Sequence, residues 1–207
     1  MAQKKEKYCI YLFRHSQTFY NKKKIFTGWK DSKLTPFGKK QAQMVSKKLK
    51  DVDFRVAYHS GLTRSKDTLK AVLRYHPECK TIIKDRRIIE RSYGDFAGHT
   101  HKWAYEKFGE KEFEKYHRGY DYPPPKGESL KMVKARVDDF LKDLFKKIKD
   151  EKINVAISAH GNSMRPMRKY FEKLSQKEMI SLENPWDDYF SYEIIFEKGK
   201  PKIKRTH

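Results

Sequence analysis

Two separated segments run from an apolar stretch into a histidine. Tyr8–Phe13 (YCIYLF) leads into Arg14-His15-Ser16, and residues 153–159 (INVAISA) lead into His160-Gly161-Asn162. A neutral imidazole is a nucleophile that can carry a phosphoryl group. Arginine forks neutralise the equatorial oxygens over which charge spreads during phosphoryl transfer. Arg14 adjoins the first histidine, and Arg64 follows Ser60-Gly61-Leu62-Thr63. Glu90, with Arg91 beside it, can give and take the proton of an ester oxygen. A second imidazole, if protonated, adds a donor to the same oxygens. Together these residues suit phosphoryl transfer without a metal, in a cationic setting that opposes protonation of His15. Each also has a plainer reading. A histidine at a strand end is commonly structural, Arg64 can be a solvated helix residue, and Glu90 can simply pair with Arg87 or Arg91. The set outweighs its members because they leave separate strand ends.

Hydrophobic periodicity identifies the elements that must bring them together. Tyr8–Phe13, Val56–His59, Thr81–Ile83, Ile153–Ser158 and Tyr189–Phe196 read as strands. A helix starts at Thr35 as N-cap with Pro36 in its first position, and carries Ala42, Val45 and Leu49. A second spans Leu62–Tyr75 and stops before Pro77. A third begins at Ser129, with Leu130, Val133, Val137, Phe140, Leu141, Leu144 and Ile148 on one face, and a fourth begins near Ser163. The alternation predicts an α/β fold, a three-layer α/β/α sandwich around a mostly parallel sheet. Such sheets bind ligands at the carboxyl ends of their strands. Residues 86–126 read as irregular and aromatic-rich, ending at Pro123-Pro124-Pro125, and so long a stretch inside a compact domain is expected to be functional or partly helical. The basic tail after Gly199 is expected to be mobile. No linker or repeat divides the chain, so residues 1–207 are expected to form a single domain.

Composition narrows the partners. Across 207 residues, 48 Lys+Arg against 27 Asp+Glu give a formal charge of +21. Together with 13 Phe, 13 Tyr and 3 Trp, this excludes a disordered acidic tail and a collagen-like fibre. The lysines are spread along the chain, and no zinc finger or RNA-binding aromatic motif appears. The charge therefore reads first as a lysine-rich solvated surface, with steering of phosphorylated substrates as the next reading and nucleic-acid binding last, so no specific nucleic acid is expected as partner. Two cysteines, Cys9 and Cys79, suit a reducing compartment. No apolar run approaches the roughly 18–20 residues of a membrane span, and the N-terminal apolar stretch is too short for a signal peptide. A cytoplasmic protein is expected. His99, His101 and His117 raise a metal-site alternative, but no Cys or carboxylate completes that set, so no metal is expected.

Leu12–Thr18 (LFRHSQT) resembles the opening signature of the histidine phosphatase superfamily. Within it, the chain is most similar to the cofactor-dependent phosphoglycerate mutases, which use 2,3-bisphosphoglycerate. The likeness runs from about Tyr8 to about Phe196. Asn21 and Phe26-Thr27-Gly28-Trp29 resemble the loop after the mutase nucleophile, and Leu34-Thr35, Gly38 and Gln41-Ala42 the next helix. Ser60, Leu62, Arg64 and Thr68 resemble the second arginine segment, and Glu90-Arg91, Tyr93-Gly94 and Gly98 the acid–base segment. Arg118, Tyr120-Asp121 and Pro123–Pro125 follow, then Glu128-Ser129-Leu130 with Arg136-Val137, then Ala159–Ser163 with Arg165. The first motif alone is weakly specific; the ordered set is strongly so.

The resemblance implies a role for each matched residue. His15 would be the phosphorylated nucleophile, and Glu90 the proton donor and acceptor. Arg14, Arg64 and His160 would bind the transferring group, helped by Asn21 and the Gly161 amide, with Asn162 beside them. Thr27, Gly28, Tyr93 and Arg118 would contact the rest of the substrate. His101, next to Lys102, stands where mutases carry a lysine, and His117 replaces the first of a tandem arginine pair. Ser16 stands where the family has glycine, and either crowds the phosphate or adds a hydroxyl donor. Ser92 and Asn184–Asp188 also depart from the pattern. The implied reaction interconverts 3-phosphoglycerate and 2-phosphoglycerate, primed by 2,3-bisphosphoglycerate and independent of metal. A phosphomonoesterase acting on small phosphorylated metabolites is the alternative. The short join from Pro125 to Glu128 resembles the shorter mutases and implies a monomer or small homo-oligomer.

Overall fold

The computed structural model describes residues 6–207, apart from the side chain of Arg118. Six strands form one sheet: β1 (Lys7–Arg14), β2 (Val56–His59), β3 (Thr81–Lys84), β4 (Val155–Ala159), β5 (Tyr189–Glu197) and β6 (Lys200–Arg205), in the order β3-β2-β4-β1-β5-β6. β1 to β4 run parallel, while β5 and β6 add antiparallel strands at one edge, so the sheet is mixed. The helices are α1 (Phe19–Lys22), α2 (Pro36–Lys48), α3 (Thr63–Val72), α4 (His101–Arg118), α5 (Leu130–Glu151), α6 (Gly161–Glu172) and α7 (Gln176–Ser181).

The layers follow from the alternation of apolar side chains across the sheet. Ile10, Leu12, Val155 and Ile157 join Val133, Val137, Phe140, Leu141 and Leu144 of α5 and Met164 and Met167 of α6 in one core. Tyr11, Phe13, Ala57 and Ala156 face the other way, against Val45 of α2 and Leu69 and Val72 of α3. Every residue of β4 is buried, as a central strand covered on both faces requires. Burying a side chain such as Ile157 stabilises the fold by about 1.5–3 kcal/mol.

The expected helix starts hold. Thr35 Oγ1 accepts from Gly38 N at 2.8 Å with Pro36 behind it, and Ser129 Oγ accepts from Met132 N at 3.2 Å. Gly38 packs flat against the loop after the first histidine, where an added Cβ would lie 2.0 Å from Gln17 O. No side chain fits there, so α2 seats directly on that loop.

The partly helical reading of residues 86–126 holds, and one expectation is corrected. Residues 86–126 include α4, two helical stretches joined across a kink at Gly109. Its periodicity is hidden because Gly109 is non-helical (φ 76°, ψ 164°) and shifts the register of its aromatic residues. Phe113 and Ala104 pack with Phe26 and Phe96 as a satellite core. The tail after Gly199 is not a mobile extension but strand β6. Lys198 and Gly199, both at positive φ, make the hairpin turn that returns it along β5. Ile203 packs against the core and Thr206 hydrogen-bonds Ser191, while the intervening lysines mask the strand in sequence.

Candidate active site

The register of β1 against β4 builds the site. Arg14 pairs with Ala159, so the next residues of the two strands, His15 and His160, leave the sheet side by side. His15 N donates to Ala159 O at 3.0 Å, and the two imidazoles stand 4.9 Å apart between centroids. Both side chains are buried. Nδ1 of His15 lies 2.8 Å from Ser16 O, an acceptor only, so Nδ1 carries the proton and Nε2 keeps its lone pair. Arg64 Nε donates to that Nε2 at 3.3 Å. Burial, then Arg64, then Arg14 hold the pKa of His15 well below the ordinary histidine value. The ring is a neutral nucleophile with its free nitrogen on the cationic side of the site.

Arg64, at the start of α3, is itself fully buried. Its Nη2 donates to Gly28 O at 2.8 Å and its Nη1 to Lys30 O at 3.0 Å. Asp31 accepts from Thr63 N at 3.0 Å, tying the same loop to the first residue of α3. His160 is oriented by Ser60 Oγ at 2.7 Å from its Nε2. Burial, then Arg64 and His15, press its pKa well down as well. It is therefore held as a neutral ring, not the imidazolium considered from sequence.

Glu90 is held by one carboxylate oxygen. Its Oε1 accepts from Arg91 N at 2.9 Å and from Asn162 N, at the start of α6, at 3.0 Å. Trp29 Nε1 and Arg136 Nη2 donate to its main-chain oxygen at 2.7 and 3.0 Å, and Arg136 is paired with Glu128. This fixes the segment while leaving Oε2 for proton transfer. A nitrogen from each histidine and a Glu90 oxygen all lie within 4.8 Å of one another.

A cavity of about 300 Å³ opens in front of His15 and Glu90, while His160 is fully buried and does not line it. Arg14, His15, Asn21, Thr27, Gly28, Arg64, Glu90, Tyr93, His101, His117, Gly161 and Asn162 all line it. Asn21 is oriented by Thr18, whose N and Oγ1 donate to its Oδ1 at 3.0 and 2.9 Å. Asn162 Nδ2 donates to Tyr93 Oη at 3.2 Å. His101 and His117 sit 5.1 Å apart on the wall formed with Phe26. Lys102 is not brought to the cavity. One residue further round α4, its side chain is 83% exposed and lies 3.6 Å from Glu106. The Arg118 side chain lies outside the described residues. His99 stacks on Trp103 at 3.8 Å, and among the described residues it does not join His101 and His117 in a group that could hold a metal.

Sequence reasoning does not reach Ile25 or residues 180–183, which complete the lining. The Ser175–Glu178 capping box signals α7, but nothing in the chain announces that its end faces the cavity. Arg91 turns away from the cavity and caps the end of α4 through the main-chain oxygens of Tyr116 and His117, at 2.9 and 3.1 Å.

A family model for the histidine phosphatase superfamily (branch 1) matches residues 10–207. The chain belongs to that superfamily. A curated member from Parvibaculum lavamentivorans, named 2,3-bisphosphoglycerate-dependent phosphoglycerate mutase, is 40% identical over 92% of each chain. One of the same name from Rhizobium rhizogenes is 37% identical over 84% of this chain and 83% of its own. Among solved structures, this superfamily member overlays on the phosphoglycerate mutase of Bacillus anthracis str. Sterne (TM-score 0.76, 20% identity, covering 98% of this chain and 93% of that one). It overlays on YhfR of Bacillus stearothermophilus with a TM-score of 0.81 at 24% identity, covering 95% of each chain. These likenesses show a shared fold.

The two buried imidazoles predict a pH dependence of stability. Unfolded, each titrates near about 6.5; folded, each binds its proton only well below that. Their contribution is therefore complete above about pH 6.5 and is lost as pH falls toward the depressed native values, with a slope of up to about 1.4 kcal/mol per pH unit for each group. The thermal midpoint is expected to drop between about pH 7 and about pH 5, and more gently in His160→Asn. An equal slope in that variant would place the dependence elsewhere.

Proposed function

We propose that the protein is a 2,3-bisphosphoglycerate-dependent phosphoglycerate mutase that interconverts 3-phosphoglycerate and 2-phosphoglycerate through a phosphohistidine at His15. One observation carries the reading: the buried Nε2 of His15 lies beside Arg64 Nε, with a ring nitrogen of His160 and a carboxylate oxygen of Glu90 gathered within 4.8 Å. The shared name of relatives 37–40% identical over most of the chain supports it.

The cavity fits an anionic primer. Arg14 Nε is buried without a partner among the described residues, and Arg14, Arg64 and Arg165 line the space. Arg14, Arg64, Asn21, His160 and the Gly161 and Asn162 segment would hold the transferring end. Thr27, Gly28, Tyr93, His101 and His117 would receive the remainder. When bound, 2,3-bisphosphoglycerate supplies the phosphoryl group that primes His15. The remaining chemistry belongs to the chain. Nε2 of His15 bonds to phosphorus in line with the departing ester oxygen, and Arg64 swings its N–H from the imidazole to the oxygens of the group it carries. Glu90 takes the proton of the acceptor hydroxyl when His15 gives the group up. It returns that proton to the ester oxygen when a phosphoryl comes back from the neighbouring carbon. Arginines beside both imidazoles oppose binding of a cation at His15, Glu90 and His160, so the reading assigns no metal. Residues 1–207 would act as a single domain, as a monomer or small homo-oligomer. Among the described residues no helix is long and apolar enough to cross a membrane, which is compatible with the proposed cytoplasmic location.

The test is to supply 3-phosphoglycerate with a trace of 2,3-bisphosphoglycerate and follow 2-phosphoglycerate and free phosphate together. Isomer formation without matching phosphate release is expected. Phosphate release from many esters, with little isomer, would favour the phosphomonoesterase.

A further inference from the structure

Two departures from the mutase pattern, Ser16 and the segment 184–188, are distant in sequence and touch in space. Ser16 Oγ donates to the main-chain oxygen of Trp186 at 3.1 Å. The Trp186 ring in turn lies against the Arg14 guanidinium, with Cζ 4.9 Å from the ring centroid. Arg14 Nη1 donates to Asn184 O at 3.1 Å. Asn184 is buried and held from two directions: its Nδ2 donates to Gly161 O, and its Oδ1 accepts from Arg168 Nη1, each at 3.1 Å. Arg168 also donates to Glu183 O at 2.9 Å and pairs with Glu172 at 2.8 Å. The segment is thus pinned to α6 on one side and to the nucleophile's own loop on the other.

The chemistry of this clamp matters for what Arg14 has left to offer. A carboxylate partner would neutralise the guanidinium and occupy its donors, as Glu172 does for Arg168. An aromatic face attracts the cation and uses none of its N–H groups. The Arg14 side chain makes one hydrogen bond among the described residues, and its buried Nε has no partner there. It keeps its charge and its remaining donors while its orientation is fixed.

We infer that Trp186, locked in place by the Ser16 hydroxyl, is a positioning residue that aims the Arg14 guanidinium at the transferring oxyanion. The two departures form one matched device, which explains why a hydroxyl stands after this nucleophile. The inference deepens the functional reading and rests on it only for the identity of the oxyanion.

The test measures binding of orthovanadate, a phosphoryl mimic, alongside steady-state kinetics, in the wild type and in Trp186→Ala, Trp186→Phe and Ser16→Gly. Trp186→Ala is expected to weaken vanadate about tenfold and to lower kcat/KM similarly. Trp186→Phe keeps a ring face and should return to within about threefold of wild type. Ser16→Gly should lose about threefold alone and add little to Trp186→Ala, because both act through one contact. Wild-type vanadate affinity in Trp186→Ala, or equal damage from alanine and phenylalanine, would overturn the inference. If Trp186→Ala does not fold, Ser16→Gly decides: unchanged vanadate affinity in that variant removes the clamp. A wild-type chain that binds vanadate but does not isomerise phosphoglycerates would sink the functional reading and leave the clamp standing.

Discussion

Replacing His15 by alanine is expected to lower turnover by at least about 10⁴-fold, to the background of the assay. Nε2 of His15 is the nucleophilic nitrogen that burial and two arginines keep unprotonated, and its own Nδ1–H is committed to Ser16 O. His160 is a poorer replacement, because it is fully buried and its Nε2 is engaged with Ser60. Alanine removes the acceptor and leaves the arginine cradle in place, so substrate binding should persist while the chemical step does not. An isomerase assay with bound-substrate measurements checks this. Activity within tenfold of wild type would remove His15 from the proposed role.

Glu90→Gln is expected to lower kcat by about 10²–10⁴-fold with KM changed little. The amide oxygen can still accept from Arg91 N and Asn162 N, which both address Oε1 in the native chain. Fold and binding should therefore survive. What glutamine lacks is the ability to receive a proton from the acceptor hydroxyl and return it to a departing oxygen. A loss expressed in KM, with kcat preserved, would make Glu90 a binding group only.

Much of this site is legible in the chain because it depends on strand ends. An apolar run closing on a histidine says where that histidine leaves the sheet, and the parallel register of Arg14 with Ala159 places two such ends together. Arg64 and Glu90 are legible because each lies in the segment that follows a strand, Arg64 after β2 and Glu90 after β3. The wall of the cavity is less so. Gly109 breaks the helical period of α4, so the packing of His101 and His117 on Phe26 emerges only with the tertiary fold. A neighbour in sequence need not be a neighbour in the site: Lys102 follows His101 yet faces solvent. The hairpin at Lys198-Gly199 looks like a basic tail because alternate lysines cover the outer face of β6. The approach of Ser16 to Trp186 joins positions 170 residues apart, and no local signal carries it.

The most direct measurement of the central claim is to trap the phosphorylated enzyme. The chain is mixed with labelled 2,3-bisphosphoglycerate, quenched in alkali and mapped by mass spectrometry. About one phosphoryl group per chain is expected, acid-labile and attached to the imidazole of His15. Label on another side chain, or sustained isomerisation with His15 never phosphorylated, would contradict it.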